Sequence, residues 1–590
     1  MRYLRMFSNA VIAGALGAAY VSLLILQLNP SLPLYPGALI SLAVTVGLLY
    51  GVHLIAAFYA LIVLRQVFGA EIISPGWTSL RLLAWLFTAS AVGAAALMWL
   101  NVRGFGPMLD ADTARRMALG ASGLTMCALV FLGIALVHYS FGRRGSAVGA
   151  SLFALTAIAS IAIPIIARGP GTAAPLESRR LDFDLDLGHR QLGESPRVVM
   201  ILLDGASLDF ISAATVEGRL PNFGKILDAG SSMHLATLRP TQPEPVWTSV
   251  ATGKLPWKTG VRSSASYLTP GSDEPVGLLP DYCFSHALVR FGLITEVLHE
   301  SSDVRARTLW SILGGAGLSV GIVGWPLTYP AQPVRGFLVT DVLDRLGDIP
   351  LDPADHAVGY PAGVLPVIRI AAEPRAMADA GAVGEMAWPV AKDVVTEVFV
   401  GRPYATDRVY EQIWRTLAGE IPVRVTAVRF RGIDAAGHYY LRHARPRLFG
   451  DVTEGEIRRY GRVLEAAYTI VDAAIGRAMA SLAPEDLLLV VSGFGMEPLG
   501  VGKRLLERAI GNRELTSTHE GAPDGFALAY GAAVAPGRKG RGSVVDLTPT
   551  ILYFLGLPVG RDMDGYARTD VFQREFTTER PITFIPTYDR

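Results

Sequence analysis

Four residues in this chain have the types and positions for metal chemistry. Asp204 ends the apolar run "VVMILLD". Asp434 ends "VTAVRFRGID", His438 follows four residues later, and His519 lies in the polar stretch "LTSTHEGAPDG". Two neutral imidazoles and a carboxylate make an open zinc set, with a position left for water or a phosphoryl oxygen. Asp-x-x-x-His places both side chains on one side of a turn. Each residue also has an ordinary reading. Asp434 suits the N-cap of a helix starting in "IDAAGHYYL", and His519 suits a loop histidine bonded to backbone. Three ligands gathered at strand ends favour the metal.

The elements that would position them alternate. "RVVMILLDG" is a short apolar run closed by Asp-Gly, which suits a buried parallel strand with a functional tip. "LPNFGKILDAG" reads as a helix ending on Gly230. "LSVGIVGWP" (318–326) and "VRVTAVRFRGID" (423–434) read as strands. "GEIRRYGRVLEAAYTIVDAAIGRAMASL" (455–482) reads as one long amphipathic helix leading into the strand "DLLLVVS", and "FALAYG" is a further strand. The expected fold class is α/β: a doubly wound, mostly parallel sheet covered on both faces, with ligands beyond the carboxyl ends of its strands.

Ahead of this region lie five long apolar runs: Ala10 to Leu28, Ala38 to Leu64, Leu82 to Leu100, Met117 to Phe141 and Ser146 to Ala167. Each can cross about 30 Å of hydrocarbon as a helix, and no small-residue cleavage site follows the first. The expected organisation is therefore an all-α transmembrane region of five helices over 1–167 and a Gly-, Pro- and charge-rich linker over 168–196. The α/β domain follows over 197–590, with a capping insertion near 342–410. Arg2, Arg5, Arg65, Arg81, Arg143 and Arg144 outnumber Arg103, Arg115 and Arg116 across the alternate loops. That bias puts the N-terminus in the cytoplasm and residues 168–590 outside it, in a multi-pass inner or plasma membrane protein. The lipid bilayer is thus an expected partner.

A net charge of +1 offers no basic field for nucleic acid. The two cysteines, Cys127 and Cys283, lie one per region, so no intramolecular disulfide is expected.

The segments "VVMILLDG", "PVWTSVATGKLPWKTGV", "VGWPLTYP", "FRGIDAAGH", "STHEGAPDG" and "SVVDLTPTILYFLGLPVGRDMDG" resemble, in order, those of the alkaline phosphatase superfamily, in its type I phosphodiesterase and nucleotide pyrophosphatase branch. The resemblance implies a metal-dependent phosphoesterase or phosphotransferase acting on phosphate esters or diesters, with two zinc ions in the family's site. One zinc maps to Asp434, His438 and His519. The other maps to Asp204, a nucleophile, and an Asp-His pair that falls here on Gly493 and Phe494, neither of which binds metal. The family's nucleophile, counted back rigidly from Trp247, falls on Pro243. After a two-residue shift it falls on Thr241, the expected catalytic residue, while Thr248 and Ser249 face the core. Thr259 replaces a histidine common in the family. Phe494 either packs on a lipid or sugar portion of a ligand or plugs the vacated space.

One tightly bound divalent metal, zinc, is therefore expected, with a degenerate second site. Five spans before such a domain are also similar in architecture to bacterial enzymes that transfer phosphate-containing groups onto envelope glycolipids, which brings lipid- or glycan-linked substrates into range. The alternative is a catalytically inactive protein of the same fold that binds or scaffolds. A transporter is disfavoured because the spans carry almost no internal charge or polar network.

Overall fold

The computed structural model describes residues 1–68, 75–140, 147–171, 196–280, 286–342, 357–372, 402–509 and 515–589. Most of the expected linker and capping insertion, and Cys283, lie outside the described residues. The chain divides into two compact units: Met1–Glu177 with Ala265–His299, and Ser178–Ser264 with Glu300–Arg590.

Among its described residues the first unit holds five helices long and apolar enough to cross a membrane: α1 (Arg2–Leu28), α2 (Pro36–Phe68, with a π-helical turn at Gly47–Gly51), α3 (Leu80–Phe105), α4 (Ala111–Ser140) and α5 (Ala147–Arg168). Small residues let their backbones approach. A Cβ on Gly14 of α1 would lie 2.4 Å from Ile55, and one on Gly123 of α4 would lie 2.2 Å from Ile163 of α5. One end of the bundle is more polar than the sequence suggested. Gln27 donates to the Met117 carbonyl and accepts from Asn101. Arg168 donates to the carbonyls of Leu26, Asn29 and Leu32, so that a cation meets the carbonyl end of α1.

The same unit takes in Ala265–His299, a segment without periodicity that interrupts the α/β domain. Ala265–Leu268 pairs antiparallel with Thr295–Leu298. Asn29 donates to the Leu278 carbonyl (2.8 Å) and accepts from the amides of Gly277 and Leu278 (2.8 and 2.9 Å). Tyr267, Val276, Leu279, Leu288 and Ile294 share an apolar cluster with the helices, and Leu278 packs with Leu28, Phe105, Leu109 and Met117.

The second unit is built on one nine-stranded sheet. Its strands are β1 (Val198–Leu203), β2 (Ser231–Ala236), β3 (Val320–Trp325), β4 (Gly336–Thr340), β5 (Gly359–Tyr360), β6 (Val425–Phe430), β7 (Leu487–Phe494), β8 (Asp524–Tyr530) and β9 (Lys539–Ser543), in the spatial order β9-β2-β8-β7-β1-β6-β3-β4-β5. β8 runs antiparallel to both neighbours and β5 is antiparallel to β4; the other pairings are parallel. Every residue of β1, β3, β6 and β7 is buried, as a sheet covered on both faces requires.

Two expected boundaries move. The long helix over 455–482 is two, Glu454–Tyr460 and Val463–Ala480. The first closes at Gly461, whose amide bonds to the Ile457 carbonyl at 2.9 Å. The strand expected to end at Ser492 continues to Phe494, where it still pairs with Asp524 of β8. Two glycines permit this. A Cβ on Gly525 would lie 2.1 Å from the Ser492 carbonyl oxygen, and one on Gly493 would lie 2.5 Å from Val246. Gly493 and Phe494 are therefore strand residues.

Candidate metal centre

β6 runs straight into α6 (Gly432–Ala444). Asp407 fixes the junction by accepting from the amides of Arg431 and Gly432 at 2.7 and 2.8 Å, which satisfies two helix-start donors. Asp434 falls in the first turn of α6, inside the helix and not at its cap. His438, one turn on, lies on the same face, with Nε2 3.5 Å from Asp434 Oδ2.

His519 comes from across the sheet. Its loop is tied to α6 by Thr516, whose amide bonds to the His438 carbonyl at 2.9 Å. The ring centroids of His438 and His519 are 5.3 Å apart. One ligand atom from each of Asp434, His438 and His519 falls within 4.8 Å of the others. The structure thus brings together three of the four metal candidates read from the sequence.

Their hydrogen bonds point the remaining lone pairs inward. His438 Nδ1 lies 2.9 Å from the Ser517 carbonyl, and His519 Nδ1 lies 3.1 Å from the Thr241 carbonyl. A carbonyl accepts only, so each Nδ1 carries a proton and each Nε2 is the atom left to bind. Asp434 Oδ1 is buried without a hydrogen-bond partner, and a buried orphan carboxylate oxygen is costly unless something cationic reaches it. Burial alone would raise the Asp434 pKa. The neighbouring His438, then His519 and Arg431, overcome it and hold the carboxyl well below its usual range. Burial pulls His438 the other way, but Asp434 prevails and raises it to about 8. Two imidazoles, one carboxylate and an unpartnered oxygen fit a divalent metal.

Asp204 is held elsewhere. Its Oδ2 accepts from Arg429 Nε (3.0 Å) and Nη2 (2.5 Å), and its Oδ1 accepts from Trp247 Nε1 (2.6 Å). Thr241 is fully buried and its hydroxyl donates to the Leu238 carbonyl at 2.7 Å. Its own carbonyl is the one that orients His519. Pro243 opens the helix α7 (Pro243–Thr252), in which Thr248 and Ser249 are buried. Thr259 is also fully buried. Phe494 is wholly buried, its ring 5.1 Å from that of His519. It fills internal space and offers no face to a ligand.

Arg429, Trp247 and Arg431 escaped the sequence reading. "VRFR" carried a signal, since an arginine inside an otherwise apolar buried strand needs a partner. The charge of Arg431 acts on Asp434, His438 and Asp204, so it stands beside the site.

Residues 198–546 match the profile of the type I phosphodiesterase/nucleotide pyrophosphatase family. The chain belongs to that family, a metal-dependent branch of the alkaline phosphatase superfamily. Among solved structures it is similar to murine ectonucleotide pyrophosphatase/phosphodiesterase 5, at 12% identity and a TM-score of 0.36, and to an inactive variant of that protein in complex with AMP, at 12% and 0.37. The human counterpart aligns at 13% and 0.37. Each alignment covers 64% of this chain and 100% of the other. Comparison with curated proteins gives no match.

Proposed function

We propose that this chain is a membrane-anchored phosphoesterase or phosphotransferase acting on phosphate esters or diesters outside the cytoplasm, with one zinc ion held by Asp434, His438 and His519. The observation that carries the reading is the orientation of the two imidazoles, each with Nδ1 spent on a backbone carbonyl, around the unpartnered Asp434 Oδ1. A zinc ion so held supplies Lewis acidity toward a phosphoryl oxygen. Arg431 adds positive charge that favours an anionic substrate. Thr241 is the proposed nucleophile. It lies next to the metal set through its bond to His519, and its hydroxyl must turn away from Leu238 to attack. Lipid- or glycan-linked esters suit a domain tethered to a membrane.

A second reading, a binding protein of the same fold, is favoured by that sequestered hydroxyl and by Pro243 at the rigidly counted nucleophile position. Turnover separates the two. The full chain in detergent, with zinc, is expected to hydrolyse a nitrophenyl phosphodiester, and Asp434→Ala to reduce the rate to background. No hydrolysis by the wild type at any divalent metal concentration would leave only the binding reading.

The placement outside the cytoplasm has its own check. A phosphatase reporter fused after Arg590 is expected to be active in a bacterial host, and a fluorescent reporter that matures only in the cytoplasm to stay dark. The reverse pattern would invert the topology.

A further inference from the structure

Asp204 follows β1, between two strand tips. Leu202 lies opposite Arg429 of β6, and Leu203 lies opposite Ser492 of β7. Asp204 therefore has an arginine on one side and Gly493–Phe494 on the other. Both its oxygens are engaged: Oδ2 by two N–H groups of Arg429, Oδ1 by the indole of Trp247. The Arg429 and Asp204 side chains are 5% and 1% exposed, so the ion pair is shut off from solvent. On the far side, any side chain at Gly493 meets Val246 of α7 at 2.5 Å, and the buried ring of Phe494 offers no lone pair. These residues do not fit a metal ion.

We propose that the Arg429 guanidinium is the permanent second cation of this site. It neutralises Asp204 in place of an ion and makes the chain single-metal by construction. A buried carboxylate needs a compensating charge, and guanidinium supplies one that neither a chelator nor any ordinary pH removes. The fork of Nε and Nη2 on one oxygen leaves the other for Trp247, so the pair also ties the tip of β1 to α7, the helix that follows Thr241. A guanidinium stabilises charge through hydrogen bonds and has no vacant orbital to accept an oxygen. Arg429 is accordingly a positioning residue acting through Asp204, and the Lewis-acid role falls to the other cation alone. Only that last step rests on the function proposed above.

The test uses the full chain in detergent, with metal content read by elemental analysis and stability by thermal melting. Asp204→Asn is expected to leave metal content unchanged; a fall would show that Asp204 is a ligand and overturn the proposal. Arg429→Met is expected to lower Tm by several degrees, and Arg429→Met with Asp204→Asn to recover most of the loss, because neighbours in one buried pair are not additive. An unchanged Tm in Arg429→Met, or no recovery in the double variant, would refute the pairing. Gly493→Asp, Phe494→His and Val246→Ala together restore family-like ligands and the room for them. With Arg429 retained, the zinc content of that chain is expected to stay where the wild type has it, and one additional ion per chain would overturn the proposal. If the wild type binds no metal, the function proposed above fails, while the Asp204–Arg429 melting cycle still reads the pair.

Discussion

His519→Ala is expected to strip the metal from the purified chain. His519 is one of the three proposed ligands and the one among them from outside α6, so Asp434 and His438 alone would leave two bonds on one helix face. Removing even an outer partner of a metal ligand typically costs about 10–100-fold in affinity, and removing the ligand itself should exceed the upper figure. Elemental analysis would then fall from one ion per chain toward none, and diester hydrolysis would fall with it. Thr241→Ala gives the contrast. Its backbone carbonyl still holds His519 Nδ1, so metal content is expected to persist while hydrolysis is lost. Full activity in Thr241→Ala would remove it as nucleophile and leave the metal set intact.

Deleting residues 1–177 is expected to cost more than an anchor. The segment Ala265–His299 belongs with the helices, and it buries Tyr267, Val276, Leu278, Leu279, Leu288 and Ile294 to between 1% and 7% exposure. At roughly 1.5–3 kcal/mol per large apolar side chain, their exposure forfeits on the order of 10 kcal/mol, comparable to the whole stability of an ordinary domain. Residues 178–590 made alone should aggregate or be cut by protease within 265–299, while the full chain in detergent resists cleavage there. A monodisperse, protease-resistant fragment would show that this segment does not depend on the helices. For this reason the metal measurements above use the full chain.

What the sequence made legible follows the range of the interactions. Asp434 and His438 are four residues apart, and a helix of fixed period brings them to one face. The five long apolar helices are a matter of local composition. The strand tips showed themselves as apolar runs ending in Asp or Ser. His519 required the order of several motifs to place it, because its approach depends on a loop tied to α6 through Thr516.

Three features were out of reach for a physical reason. The Asp204–Arg429 bond spans 225 residues and exists because parallel strands β1 and β6 align in one register, which no local pattern specifies. The extension of β7 through Phe494 rests on the close approach of Gly493 and Gly525 to their neighbours. The excursion at 265–299 lacks periodicity, and its apolar residues acquire meaning only against Leu28, Phe105 and Met117. Gly461 was visible inside the long helical pattern, but a single glycine is compatible with a continuous helix.

On this proposal the family fold holds one metal ion, because Arg429 and Phe494 close the position a second would take. The deciding measurement is elemental analysis of the full wild-type chain, purified in detergent and equilibrated with zinc. The expected result is one tightly held ion per chain, lost in Asp434→Ala and retained in Asp204→Asn. Two tightly held ions, or none, would contradict it.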